Sequence, residues 1–129
     1  MTLPRTPSQT VGPFFTIGLC RRAQNELVRE GIRLVGTLLD GQDEPVNDAV
    51  IEIFDAASRR WGRCGTDAEG RYSFLVAPDT AHVEAYVFAR GLLKQQLTRI
   101  RLSDAEQDDG TLGFDIRLQG ERQTVFFAV

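Results

Sequence analysis

The chain has 129 residues, 42% of them hydrophobic and 26% charged, with a net charge of −3. A domain of this length buries roughly two-thirds of the surface its unfolded chain exposes, so one core is within reach. Its 15 basic and 18 acidic residues are scattered, which argues against a nucleic-acid footprint, and no run approaches the ~18 apolar residues of a membrane helix.

Met1 to Ser8 carries two prolines where a secretory signal would need a continuous apolar stretch, and the expected location is the cytoplasm. Residues 1–31 read as an N-terminal arm. Pro7 to Phe15 holds two prolines, a glycine and the adjacent Phe14 and Phe15, a composition that fits neither a central strand nor a helix interior. The two aromatics need a surface to cover them. Ala23 to Glu30 has room for a helical turn or two.

From residue 32 to 129, short β-rich runs alternate with turn signals, the pattern of an all-β, antiparallel β-sandwich. Ile32 to Asp40 ends at Gly41-Gln42-Asp43-Glu44-Pro45, and Ala49 to Phe54 ends at a polar stretch through Arg59 and Arg60. Cys64-Gly65-Thr66 meets Asp67-Ala68-Glu69-Gly70, read as a hairpin turn into Arg71 to Val76. Strands are expected at His82 to Arg90, Gln96 to Leu102, Phe114 to Leu118 and Gln123 to Val129. In Gln96 to Leu102 the residues Thr98, Ile100 and Leu102 share one face, and Arg99 and Arg101 the other. Ser103 to Gly110 is acidic and poor in apolar residues, hence expected to be exposed and mobile.

Cys20 and Cys64 lack metal-site spacing and suggest no disulfide framework; they read as two buried thiols. The one histidine, His82, lies in a strand with Glu84 two residues on, so both share a face. A hydrogen-bonded structural histidine is weighed here against a divalent ion held by His82, Glu84 and water.

Four stretches carry a resemblance: Pro7-Ser8-Gln9-Thr10-Val11-Gly12-Pro13-Phe14-Phe15 through Leu19, Gly62 to Asp67, His82 to Gly91 with Phe88-Ala89-Arg90-Gly91, and Phe114 to Glu121 with Thr124 to Phe127. In this order they resemble the intradiol ring-cleavage dioxygenases, and among them the alpha-type chains of the heteromeric members. The resemblance implies a β-sandwich and a ferric ion held by two tyrosines and two histidines, the latter in a His-x-His strand. Carried over, His82 falls on the first histidine and Glu84 on the second. The first tyrosine position falls at or near Trp61, and the stretch that would supply the second is cut to Ala77 to Ala81. The implied chain therefore has no metal site and no catalytic residue of its own. Fe(III) is expected in a partner beta chain, with which this chain forms a hetero-oligomer. Thr10, Gly12, Pro13 and Arg90 are implied to bind substrate, an aromatic carboxylate that a planar guanidinium can meet with paired hydrogen bonds. The chain is shorter than those alpha chains, with stretches missing between Arg60 and Gly62 and between Leu102 and Phe114.

A second class fits the central motifs equally well. Gly36 to Gly41, Pro45 to Ile53 and Thr66 to Phe74 also suit a non-enzymatic, transthyretin-like or carboxypeptidase-regulatory-like β-sandwich binding module. The arm and the Phe114 to Glu121 stretch are what such a module has no reason to carry.

Overall fold

In the computed structural model the described residues are 24–92, 95–118, 124 and 126. They form nine strands: β1 (Ile32–Leu39), β2 (Val50–Asp55), β3 (Arg60–Gly65), β4 (Arg71–Val76), β5 (His82–Phe88), β6 (Gln96–Arg101), β7 (Glu106–Asp108), β8 (Thr111–Gly113) and β9 (Ile116–Arg117). One short 3-10 turn, Leu102–Asp104, is the sole helical element among the described residues. The strands make two sheets, β4-β1-β8-β7 with β9 also on β1, and β3-β2-β5-β6.

Period-two alternation builds the space between the sheets. Leu34 and Leu38 of β1, Ile51 and Ile53 of β2, Phe74 and Val76 of β4, Val83 and Val87 of β5, and Ile100 of β6 all point inward and are buried. Thr98, Ile100 and Leu102 are buried while Arg99 and Arg101 are exposed, as the alternation in β6 requires. Aliphatic and β-branched side chains dominate this layer, so its stability comes mainly from apolar burial.

Four features differ from the sequence expectation. Gln24 to Glu30 contains no helix: the Leu27 amide donates to the Leu75 carbonyl and the Leu75 amide to the Asn25 carbonyl, each at 2.9 Å, so this backbone pairs along β4. The Asp67 to Gly70 turn joins β3 and β4, which lie in different sheets, so it is a corner between layers and not a hairpin. The Asp67 carboxylate accepts the amides of Glu69 and Arg71 at 2.9 Å. Gly70 closes the corner at φ +73°, where an added Cβ would lie 2.9 Å from the Pro45 Cβ.

The acidic stretch after Leu102 is exposed over most of its length, yet it holds β7 and pairs with β8. Asp109 and Gly110 both have positive φ and make the two-residue connection that favours an Asp-Gly hairpin. The expected strand Phe114 to Leu118 is reduced to β9, and β8 and β9 both run parallel to β1. Between them the Asp115 carboxylate accepts the Thr37 amide at 2.9 Å, and the Phe114 carbonyl lies over Gly36. A Cβ on Gly36 would come within 1.9 Å of that carbonyl oxygen, so the crossing depends on glycine. Most of the expected strand Gln123 to Val129 lies outside the described residues, as does most of the arm.

Candidate functional site

The outer face of β3-β2-β5-β6 carries His82, Glu84 and Tyr86, because Val83, Ala85 and Val87 face the core. Register sets Glu84 beside Phe54 on one side and Arg99 on the other, and its carboxylate pairs with the Arg99 guanidinium at 3.2 Å. Glu52 is held likewise by Arg63 at 2.5 Å. His82 lines a hollow of about 310 Å3 with Asp55, whose Oδ2 accepts the hydroxyls of Ser58 at 2.9 Å and Thr80 at 3.3 Å.

These donors do not fit a ferric site of two phenolates and two imidazoles. Tyr86 is two positions beyond Glu84 on the same strand face, about 13 Å from His82 at strand spacing, too far to share one ion with it. Tyr72 is buried, with its hydroxyl donating to the Phe114 carbonyl. Burial, with Asp115 nearby, holds that phenol protonated far above the usual tyrosine range. Among the described residues no three His, Cys, Asp or Glu side chains come together as a metal site.

The same face holds a feature missed in the sequence reading. Phe54 is 36% exposed and Trp61 53% exposed, and the two stand opposite each other across β2 and β3. The Arg63 guanidinium lies 5.5 Å from the centre of the Trp61 ring. Alternation in Val50 to Phe54 already places Phe54 on the side of Glu52, away from Ile51 and Ile53, and that signal was available.

Arg90 lies beyond the opposite end of β5 from His82, at roughly 3.3 Å per residue about 25 Å away, so the structure does not bring these two together. It lines an open cleft of about 890 Å3 between the β1-β2 and β5-β6 connections, with Pro45, Val46, Asn47, Leu92, Gln96 and Leu118. Its Nη2 donates to the Asn47 side-chain oxygen at 3.1 Å. Asp40 also lines the cleft, but its Oδ1 accepts the amides of Gln42 at 2.8 Å and Glu44 at 3.0 Å. A cleft in which Pro45, Val46, Leu92 and Leu118 stand beside one guanidinium can take a small organic anion. The other expected binding residues, Thr10, Gly12 and Pro13, lie outside the described residues.

Cys64 is half-buried and unpaired to another cysteine, so the expectation of a fully buried thiol holds only in part; Cys20 lies outside the described residues. It lines a cavity of about 590 Å3 with Tyr72, Ser73 and Gly113. Burial pushes its thiol above the ordinary range, which lowers its nucleophilicity at neutral pH.

No family model matches the chain. A protocatechuate 3,4-dioxygenase alpha chain of Burkholderia cepacia is 28% identical over 195 aligned positions that span 99% of each chain. One from Pseudomonas putida is 27% identical, spanning 97% of this chain and 96% of the relative. An alignment of 195 positions exceeds the 129 residues available here, so the first relative carries internal residues that this chain lacks. Among solved structures, hydroxyquinol 1,2-dioxygenase of Pseudomonas putida DLL-E4 superposes with a TM-score of 0.57 at 16% identity, covering 85% of this chain and 65% of that one. The dioxygenase domain of a Streptomyces sp. SirexAA-E fusion protein gives 0.56 at 12% identity, over 74% and 87%. Catechol 1,2-dioxygenase of Pseudomonas arvilla C-1 gives 0.52 at 18%, over 76% and 56%. The chain is thus similar in sequence, over nearly its whole length, to protocatechuate 3,4-dioxygenase alpha chains, and in fold to hydroxyquinol and catechol 1,2-dioxygenases.

Proposed function

We propose that the chain is the alpha-type subunit of a protocatechuate 3,4-dioxygenase-like enzyme, which opens the ring of a catechol carboxylate with O2. The ferric ion and its ligands belong on this reading to a beta chain of the same family, and this chain supplies part of the substrate pocket. Arg90 meets the ring carboxylate. Thr10, Gly12 and Pro13 line the approach, with Gly12 allowing close passage of backbone and Pro13 lowering the entropy lost on ordering.

The observation that carries the reading is Arg90 itself, a guanidinium in a cleft of mixed polar and apolar lining whose partner is a neutral amide. Arg63, Arg99 and Arg117 each face a carboxylate instead. The donors on the β5 face and the buried phenol of Tyr72 are what argue against an iron site within this chain.

Co-expression with an iron-bearing beta chain, followed by sizing and oxygen uptake on 3,4-dihydroxybenzoate, tests the proposal. The expected result is a mixed assembly that consumes oxygen, and an Arg90→Ala variant whose KM rises about tenfold or more, the scale of a lost hydrogen bond to a charged group. A purified chain that alone holds stoichiometric iron, or that never associates with such a partner, overturns it.

A further inference from the structure

We infer that Asn47 is a positioning residue for Arg90, and that its amide, in place of a carboxylate, reserves the Arg90 charge for the anionic end of an amphiphilic aromatic ligand. The inference rests on the pocket role proposed above for Arg90 and adds how that residue is held and what ligand class it selects.

Arg90 stands at a corner. Ala89 before it is buried, and Gly91 after it takes φ +88°, so its backbone is fixed while its side chain projects into the cleft and is exposed. A long exposed arginine samples many rotamers, and each one lost on binding reduces affinity. The 3.1 Å hydrogen bond from Nη2 to the Asn47 oxygen ties one edge of the fork and leaves its other donors available.

Asn47 can act as a tether because its own backbone is stapled on both sides. The buried Thr66 hydroxyl donates to the Val46 carbonyl at 2.8 Å and accepts the Ala49 amide at 2.9 Å. The Val46 amide in turn donates to the Leu38 carbonyl at 2.8 Å. The loop backbone carrying Asn47 is therefore fastened to the core strand β1, which keeps its amide within reach of Arg90.

Charge decides why an amide suits this position. An aspartate of the same shape would accept the same hydrogen bond and neutralise Arg90, as Glu84 does for Arg99. A carboxylate arriving from solution would then have to displace it. With Asn47 the guanidinium is oriented and still carries its full charge toward the cleft. Pro45, Leu92 and Leu118 supply the apolar part of a mixed lining, so the matching ligand is a ring with one anionic group, the carboxylate of the substrate class proposed above, rather than a neutral ring.

The test uses the assembled enzyme with its beta chain, and compares KM for 3,4-dihydroxybenzoate with KM for catechol, which lacks the carboxylate. Asn47→Asp is nearly isosteric, and it is expected to reduce the preference for the carboxylate substrate about five- to tenfold. Asn47→Ala keeps the charge and loses only the tether, so it should reduce that preference about two- to threefold. A merely structural role predicts the reverse order, with alanine the more harmful. Wild-type preference in Asn47→Asp, alongside a large loss in Arg90→Ala, overturns the inference and leaves the role of Arg90 standing. An unchanged preference in Arg90→Ala overturns the reading on which the inference rests.

Discussion

Phe54 and Trp61 face each other across the β2-β3 ladder with their side chains open to water on the outer side of the sheet, where alternation places polar residues elsewhere. Two large aromatics side by side on a sheet face are unusual for a surface with no partner. Trp61 is the chain's one tryptophan, so its fluorescence reports on this face alone. The isolated chain should emit at the long wavelengths of a hydrated indole and be quenched readily by iodide. If the proposed beta chain covers the face, assembly with it will shift emission to shorter wavelength and protect it from iodide. An emission spectrum and quenching constant that assembly leaves unchanged would place the partner elsewhere.

The core and this face should respond differently to truncation. Phe74 is fully buried against Tyr72, with ring centres 5.9 Å apart, so Phe74→Ala leaves a cavity and should cost about 3 to 5 kcal/mol in denaturant unfolding. Phe54→Ala removes a side chain already 36% exposed and should cost about 1 kcal/mol or less. Equal losses for the two variants would contradict the assignment of inner and outer faces.

Most of the architecture is legible in the sequence because strand alternation is a local signal. Thr98, Ile100 and Leu102 declare their face within seven residues, and the same holds for β5. What is not legible depends on contacts distant in sequence. The parallel seating of β8 and β9 on β1 needs the Phe114 carbonyl over Gly36, and the corner at Asp67 to Gly70 resembles a hairpin turn until Pro45 and Leu38 are seen around Gly70. Arg90 was legible as a charge at a strand end. Its tether was not, since Asn47 is 43 residues away and nothing in the intervening sequence marks the pair.

Alkaline pH should destabilise the fold through two protons that burial retains. The folded pKa values of both Tyr72 and Cys64 are raised, so the stability they contribute is present at neutral pH and is lost as pH rises from about 9 upward, where the unfolded chain releases those protons first. Urea midpoints measured between pH 7 and 10.5 should therefore fall at the alkaline end. Tyr72→Phe should flatten that fall while lowering stability at pH 7 by about 1 to 2 kcal/mol, because the part-buried Phe114 carbonyl loses its donor. A midpoint flat to pH 10.5 in the parent chain would refute this account.

Glu84→His recreates a His-x-His strand and so asks whether the second imidazole is all that separates this chain from an iron protein. Both rings would lie on the outer face of β5, and a pair at that spacing can hold one divalent cation such as Zn2+. Ferric binding needs more. Tyr86 sits further along the same strand, and Tyr72 keeps its proton inside the core, engaged with the Phe114 carbonyl. The substitution also removes the carboxylate that faces Arg99, leaving a guanidinium beside any bound cation and weakening its affinity. The expected outcome is therefore weak zinc binding by calorimetry, with no visible absorption and no oxygen uptake when ferric iron is supplied to the purified variant. A coloured, stoichiometric iron complex would mean that a phenolate reaches His82 after all, and would return the ring-opening chemistry to this chain.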